Sequence, residues 1–146
     1  MKYFKAFVLL IFLVCLFFMM SCTGDGNPAL SNTQLLAGVD DTGKTWRITG
    51  IETDLGTVDP FDCVSDNNIT YFPNGRYEVN EGASKCDPSD PVAFIGDWDF
   101  SSQENQLSVV VGDSARIWVI VELREQIHRI ESSFPDGQRT YVLRPL

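Results

Sequence analysis

Two hydrophobic patterns divide the 146-residue chain. The first is a 15-residue apolar run without a charge, residues 6–20, preceded by Lys2 and Lys5. It is shorter than the roughly 20 residues a membrane-spanning helix needs, and it fits the hydrophobic region of an export signal. The second begins at Trp46. From there apolar and polar residues alternate in short runs broken by turn residues, the pattern of half-buried strands. Strands are predicted at 46–53, 68–72, 76–80, 92–100, 107–111, 116–123, 127–132 and 140–143. Asn74-Gly75 and Asp136-Gly137 are hairpin turns, because both pairs accept the positive φ of tight β-turns. Leu123, Ile127 and Ile130 have helical spacing, but an antiparallel meander requires a strand at 127–132.

Eight strands with no helix long enough to cross over predict an all-β fold, a small antiparallel up-and-down barrel. Residues 31–38 predict a short N-terminal helical turn, capped by Ser31 or Asn32 and ended by Gly38. Phe94, Gly96, Trp98 and Phe100 share one face of their strand, with Asp97 and Asp99 on the solvated other. In 116–123, Ile117, Val119, Val121 and Leu123 are expected on one side. Trp118 and Ile120 take the other, where Trp118 packs under the Leu35-Leu36 turn or serves as an exposed anchor for a partner.

The apolar run ends in Met19-Met20-Ser21-Cys22. A small residue directly before a cysteine, after a hydrophobic region, resembles a bacterial lipobox. That motif implies cleavage before Cys22, diacylglycerol on its sulfur and an acyl chain such as palmitate on the new N-terminus. Acyl chains in that number suffice for stable anchoring. The organisation expected is a lipoprotein signal peptide at 1–21, a lipidated Cys22 with a flexible tether at 22–34, and a barrel domain at 35–146.

Removing residues 1–21 takes away two of 11 basic residues and none of 20 acidic ones, so the net charge moves from −9 to −11. That excludes nucleic acid as a partner, since phosphate contacts need Lys and Arg. Cys15 leaves with the signal, and two unmodified cysteines remain, Cys63 and Cys86. In an oxidising compartment they predict a disulfide; metal ligation with His128 is the rival.

These residues resemble a family. Leu35-Leu36, Gly38 and Lys44-Thr45-Trp46-Arg47-Ile48 look like the opening of lipocalin-like lipoproteins of the Bacteroidetes type. Cys63, Asp66-Asn67, Thr70, Phe72, Asn74-Gly75, Tyr77, Gly82, Cys86, Gly96 and Trp98 continue the likeness, which covers nearly all of 35–143. The resemblance implies a lipid-tethered lipocalin-like barrel with its two cysteines bonded. It implies no particular ligand.

Trp46, Phe94, Trp98, Phe100 and Tyr141 fall on inward faces. They either line a pocket for an apolar or ring-bearing ligand or fill the barrel. An eight-stranded barrel is just wide enough for side chains to fill, which favours the filled core. Asp62 and Asp66 near Cys63, with Asp87 and Asp90 near Cys86, form a weak calcium candidate that the disulfide would gather at one rim. Otherwise no metal or cofactor site stands out. His128 has no companion nucleophile and reads as a surface histidine, so no enzymatic activity is expected. Asp113-Ser114-Ala115 resembles a bacterial O-glycosylation motif in a turn.

The functional expectation is a monomeric, lipid-anchored protein of the bacterial cell envelope, on the outer membrane. It would bind a small apolar ligand or an envelope protein. The alternatives are an inhibitor of a basic enzyme, of lysozyme- or protease-inhibitor type, to which the negative charge would steer it, or a structural accessory subunit.

Overall fold

The computed structural model describes residues 29–146. The signal at 1–21 and Cys22 lie outside the described residues. A short helix, α1 (Asn32–Ala37), leads into β1 (Lys44–Thr53) and β2 (Gly56–Val58). A four-residue helix, α2 (Asp62–Ser65), precedes β3 (Asn68–Tyr71) and β4 (Arg76–Asn80). Then follow β5 (Ala93–Phe100), β6 (Gln106–Val111), β7 (Ser114–Arg124), β8 (Ile127–Phe134) and β9 (Gly137–Pro145).

Every pairing is antiparallel. The sheet runs β2-β1-β3-β4-β5-β6-β7-β8-β9, and β1 also pairs with β9. That last pairing closes eight strands into a barrel and removes the exposed edges that an open sheet would leave. β1 can serve three neighbours because it is ten residues long. Lys44–Trp46 pairs with β3 and Ile51–Thr53 with β2, while β9 occupies the other edge. Residues 127–134 form a strand, as a closed meander requires.

Two bulges adjust which residues face inward. One lies between Ile48 and Gly50 opposite β9, the other between Ile120 and Glu122 opposite β8. An extra residue coils a strand more tightly, which helps a small sheet close. The bulge in β7 also brings Leu123 to the side of Trp118 and Ile120, and all three pack against the core. The expected facing of β7 is therefore reversed for its first half. Trp118 pairs with the buried Leu107 and points inward, whereas Ile117 pairs with Ser108 and is 63% exposed. Trp118 is therefore not an exposed outer anchor.

Gly96 lies in β5 hard against the backbone of β6. A Cβ there would lie 2.0 Å from the Val110 carbonyl oxygen, so no other residue fits without moving backbone.

The core comprises Leu36, Ala37, Trp46, Ile69, Tyr71, Trp98, Leu107, Val109, Ile130 and Leu143. Leu36 and Ala37 come from α1, which plugs one end of the barrel. Ser31 caps this helix: its Oγ accepts from Gln34 N at 3.2 Å, and Gln34 Oε1 accepts from Ser31 N at 2.9 Å. The helix thus spans Asn32–Ala37 between Ser31 and Gly38, within the predicted turn at 31–38, and its first residues overlap the 22–34 expected as tether. Residues 29–146 thus contain one closed sheet around one core.

Candidate functional site

The barrel has two unlike ends. At the α1 end, Trp46 is fully buried and donates from Nε1 to the Leu36 carbonyl at 2.8 Å. Lys44 Nζ donates to the carbonyls of Leu35 at 2.8 Å and Glu125 at 2.7 Å, tying α1 to the β7–β8 turn. Burial lowers the pKa of Lys44 against the opposing pull of Glu125. Beside them lies His128, fully buried rather than on the surface as its strand position suggested. Its ring meets Trp46 at 5.6 Å and Tyr71 at 6.3 Å between centroids. Neither ring nitrogen makes a hydrogen bond. Burial pushes its pKa down to about 4; the Glu122 backbone pulls the other way, and Lys44 adds a smaller push downward. The register explains the burial: His128 pairs with Leu123 on one side and with the buried Leu143 on the other.

The opposite end opens into a cavity of about 390 Å³. Alternation along four strands builds its wall. β4 and the residue after it supply Tyr77, Val79 and Glu81; β5 supplies Phe94; β6 supplies Val109 and Val111; β7 supplies Ser114, Arg116 and Trp118. Trp118 is held edge-on against Tyr141 at 5.5 Å. Burial raises the pKa of the Tyr77 hydroxyl; the nearby Arg116 opposes the shift and Glu81 adds to it. Glu81 is itself buried, with Asn67 Nδ2 3.5 Å from its Oε1. Its carboxyl pKa is raised by burial and then by Asp90 and Asp66, against Lys85.

Cys63 and Cys86 are bonded, with Cα atoms 4.9 Å apart, and join α2 to the long β4–β5 loop at this open end. Asp66 fastens the same loop, its Oδ2 accepting from Ala83 N at 2.7 Å and Ser84 N at 3.1 Å. Gly82 makes that contact possible. Its φ is +66°, and a Cβ would fall 2.5 Å from the Asp66 carboxyl carbon.

Of the five aromatic residues expected in a pocket, the structure places only Phe94 on the cavity wall. Trp46 lies at the sealed end. Trp98 donates from Nε1 to the Phe72 carbonyl at 3.0 Å and stacks edge-on with Phe100 at 5.3 Å, both within the packed barrel. Tyr141 supports Trp118 from behind. The four carboxylates Asp62, Asp66, Asp87 and Asp90 do not gather into a calcium site. Asp66 caps the loop, and Asp87 Oδ1 accepts from Ser89 N at 2.8 Å and Ser89 Oγ at 2.7 Å. Among the described residues, no group of three or more His, Cys, Asp or Glu side chains is placed to hold a metal. Ser114, the O-glycosylation candidate, is exposed at the cavity rim.

Sequence reasoning missed Tyr77, Glu81, Arg116 and Trp118 as wall residues. Once β7 is facing correctly, Ser114, Arg116 and Trp118 follow by alternation; Tyr77 and Glu81 come from β4 and the residue after it, where no local pattern marks a cavity wall.

No protein-family profile and no curated protein matches the sequence. Among solved structures, the chain resembles a lipocalin-like protein from Bacteroides uniformis with a TM-score of 0.51 at 11% identity. The match covers 73% of this chain and 100% of that one. The fold is lipocalin-like. In those terms the cavity is the mouth of the barrel and α1 is its plug.

Proposed function

We propose that the protein is a non-enzymatic binding protein of the bacterial cell envelope, anchored by lipid at Cys22, whose barrel mouth takes a small, largely apolar ligand. The observation that carries this reading is the cavity itself. It has a sealed floor, a wall of aromatic and branched side chains, and a few polar groups at its rim, the usual make-up of a small-molecule site. Its volume of about 390 Å³ is at the small end of ligand pockets, which suits a compact ring-bearing molecule. Lipid anchoring and the envelope location rest on the apolar run and the Ser21-Cys22 junction.

Trp118 makes the test direct, since it is the one of three tryptophans on the cavity wall. Native mass spectrometry of protein purified from its own envelope should show an added small-molecule mass that leaves on unfolding. Adding that molecule back should change tryptophan emission in the wild type and not in Trp118→Phe. A bare mass, with no apolar probe taken up, would sink the reading.

A second reading, an accessory subunit of an envelope complex, has its own observation. Ile117, Val119 and Val121 form an exposed row on the outside of β7, near exposed Val110. It predicts a protein that co-purifies after detergent extraction and is lost in Val119→Lys.

A further inference from the structure

Nine basic residues lie in the described part of the chain, since Lys2 and Lys5 precede it. Eight have a partner. Arg76, Arg124, Arg129 and Arg139 sit in ion pairs with Glu78, Glu122, Glu52 and Asp136. Lys44, Arg47, Lys85 and Arg144 donate to carbonyl or amide oxygens. Arg116 alone, among the described residues, makes neither an ion pair nor a side-chain hydrogen bond. In a protein with 20 acidic residues, a carboxylate partner would be easy to supply. The residue left without one stands in the wall of the cavity.

Its position along β7 adds direction. Ser114, Arg116 and Trp118 point into the barrel from rim to interior, each pair about 7 Å apart along an extended strand. A guanidinium near the mouth therefore lies above an indole, with Phe94 and Tyr77 on neighbouring strands. A guanidinium is weakly hydrated and its planar fork matches carboxylate, sulfonate and phosphate oxygens. Deepening the cavity reading on which it rests, we propose that the ligand is an apolar anion: its hydrophobic body lies against Trp118 and Phe94, and its anionic group pairs with Arg116. The chain's net charge is negative and the cavity wall also carries the carboxyl of Glu81, whose pKa burial raises, so the attraction for an anion comes from Arg116.

Two fluorescent probes isolate this contact. 8-Anilino-1-naphthalenesulfonate and N-phenyl-1-naphthylamine share one ring system, and only the first carries a sulfonate. Both are titrated into the protein. Arg116→Gln should weaken the sulfonate probe about tenfold, the scale of a charge-assisted hydrogen bond, and leave the neutral probe within about twofold. Arg116→Lys should fall between. Trp118→Ala should weaken both, which locates them in the cavity. Arg116 is exposed and unpaired, so an unchanged unfolding midpoint in Arg116→Gln separates binding from folding. Displacement of the sulfonate probe by decanoate or by decyl phosphate tells a carboxylate source from a phosphate one. Equal displacement by decanol overturns the proposal, as does an Arg116→Gln effect that is absent or equal for the two probes. If neither probe binds the wild type, the cavity reading falls and this one with it.

Discussion

The two ends of this barrel are built from similar residues and do opposite things. Each has a tryptophan on the inner face of a long strand and a basic residue two positions before it, Lys44 with Trp46 and Arg116 with Trp118. At the plugged end both side chains of that pair are hydrogen-bonded. Trp46 Nε1 reaches Leu36, and Lys44 reaches Leu35 and Glu125. At the open end Arg116 makes no pair, and Trp118 leaves space beside it. What separates them is α1, six residues that bring a leucine, an alanine and free carbonyls to one mouth and not the other. This barrel is hollow at the mouth that no segment of its own chain fills.

The largest effect is expected from emptying the plugged end. Trp46→Ala should cost about 4 kcal/mol, since a fully buried indole leaves a cavity that the closed sheet cannot collapse. Urea unfolding measures it. Trp118→Ala at the open end should cost much less; equal losses would mean that the mouth is as tightly packed as the floor.

Acid should also act through the plugged end. His128 titrates near 6.5 when unfolded and at about 4 when folded, so the native state resists protonation. Its contribution is fully present above pH 6.5 and is lost as pH falls toward 4, a window worth about 3 kcal/mol. Stability measured between pH 7 and 4 should fall more steeply in the wild type than in His128→Leu. Parallel curves would show that the ring finds a proton acceptor.

The open end depends on its staple instead. Replacing Cys63 and Cys86 by serine should cost about 3 kcal/mol for a loop of 23 residues. Hydrogen exchange should rise first in the β4–β5 loop and leave α1 protected. Ser31→Ala is the smallest of the set, about 1 kcal/mol for a lost helix cap, and it should loosen α1 without changing probe uptake at the mouth.

Much of this architecture was legible in the sequence because strands announce themselves by period two and hairpins by Asn-Gly and Asp-Gly. The short β2 and α2 escaped notice, since three or four residues carry no period. The pocket was less legible. Trp46, Trp98 and Phe100 were rightly placed on inner faces, yet periodicity says which face a side chain takes and nothing of its height in the barrel. Trp118 was missed for a different reason. Ile117, Val119 and Val121 form the more hydrophobic face of β7, and they are the ones left outside.

The sequence by itself determined the all-β meander, the capped N-terminal turn and the loop that two cysteines close. The first two follow from local chemistry, alternation and turn and cap residues, and the third from two unmodified cysteines in an oxidising compartment. Only the tertiary structure decided the rest. The facing of β7 depends on its register with β6, and the return of Leu123 to the inner side depends on a single extra residue against β8. His128 is buried because Leu143 and Leu123 flank it from two strands. Arg116 stands apart because no acidic side chain reaches it in space, although acidic residues surround it in number. Pairing partners lie far away along the chain, so no local pattern encodes them; closing the barrel brings them together.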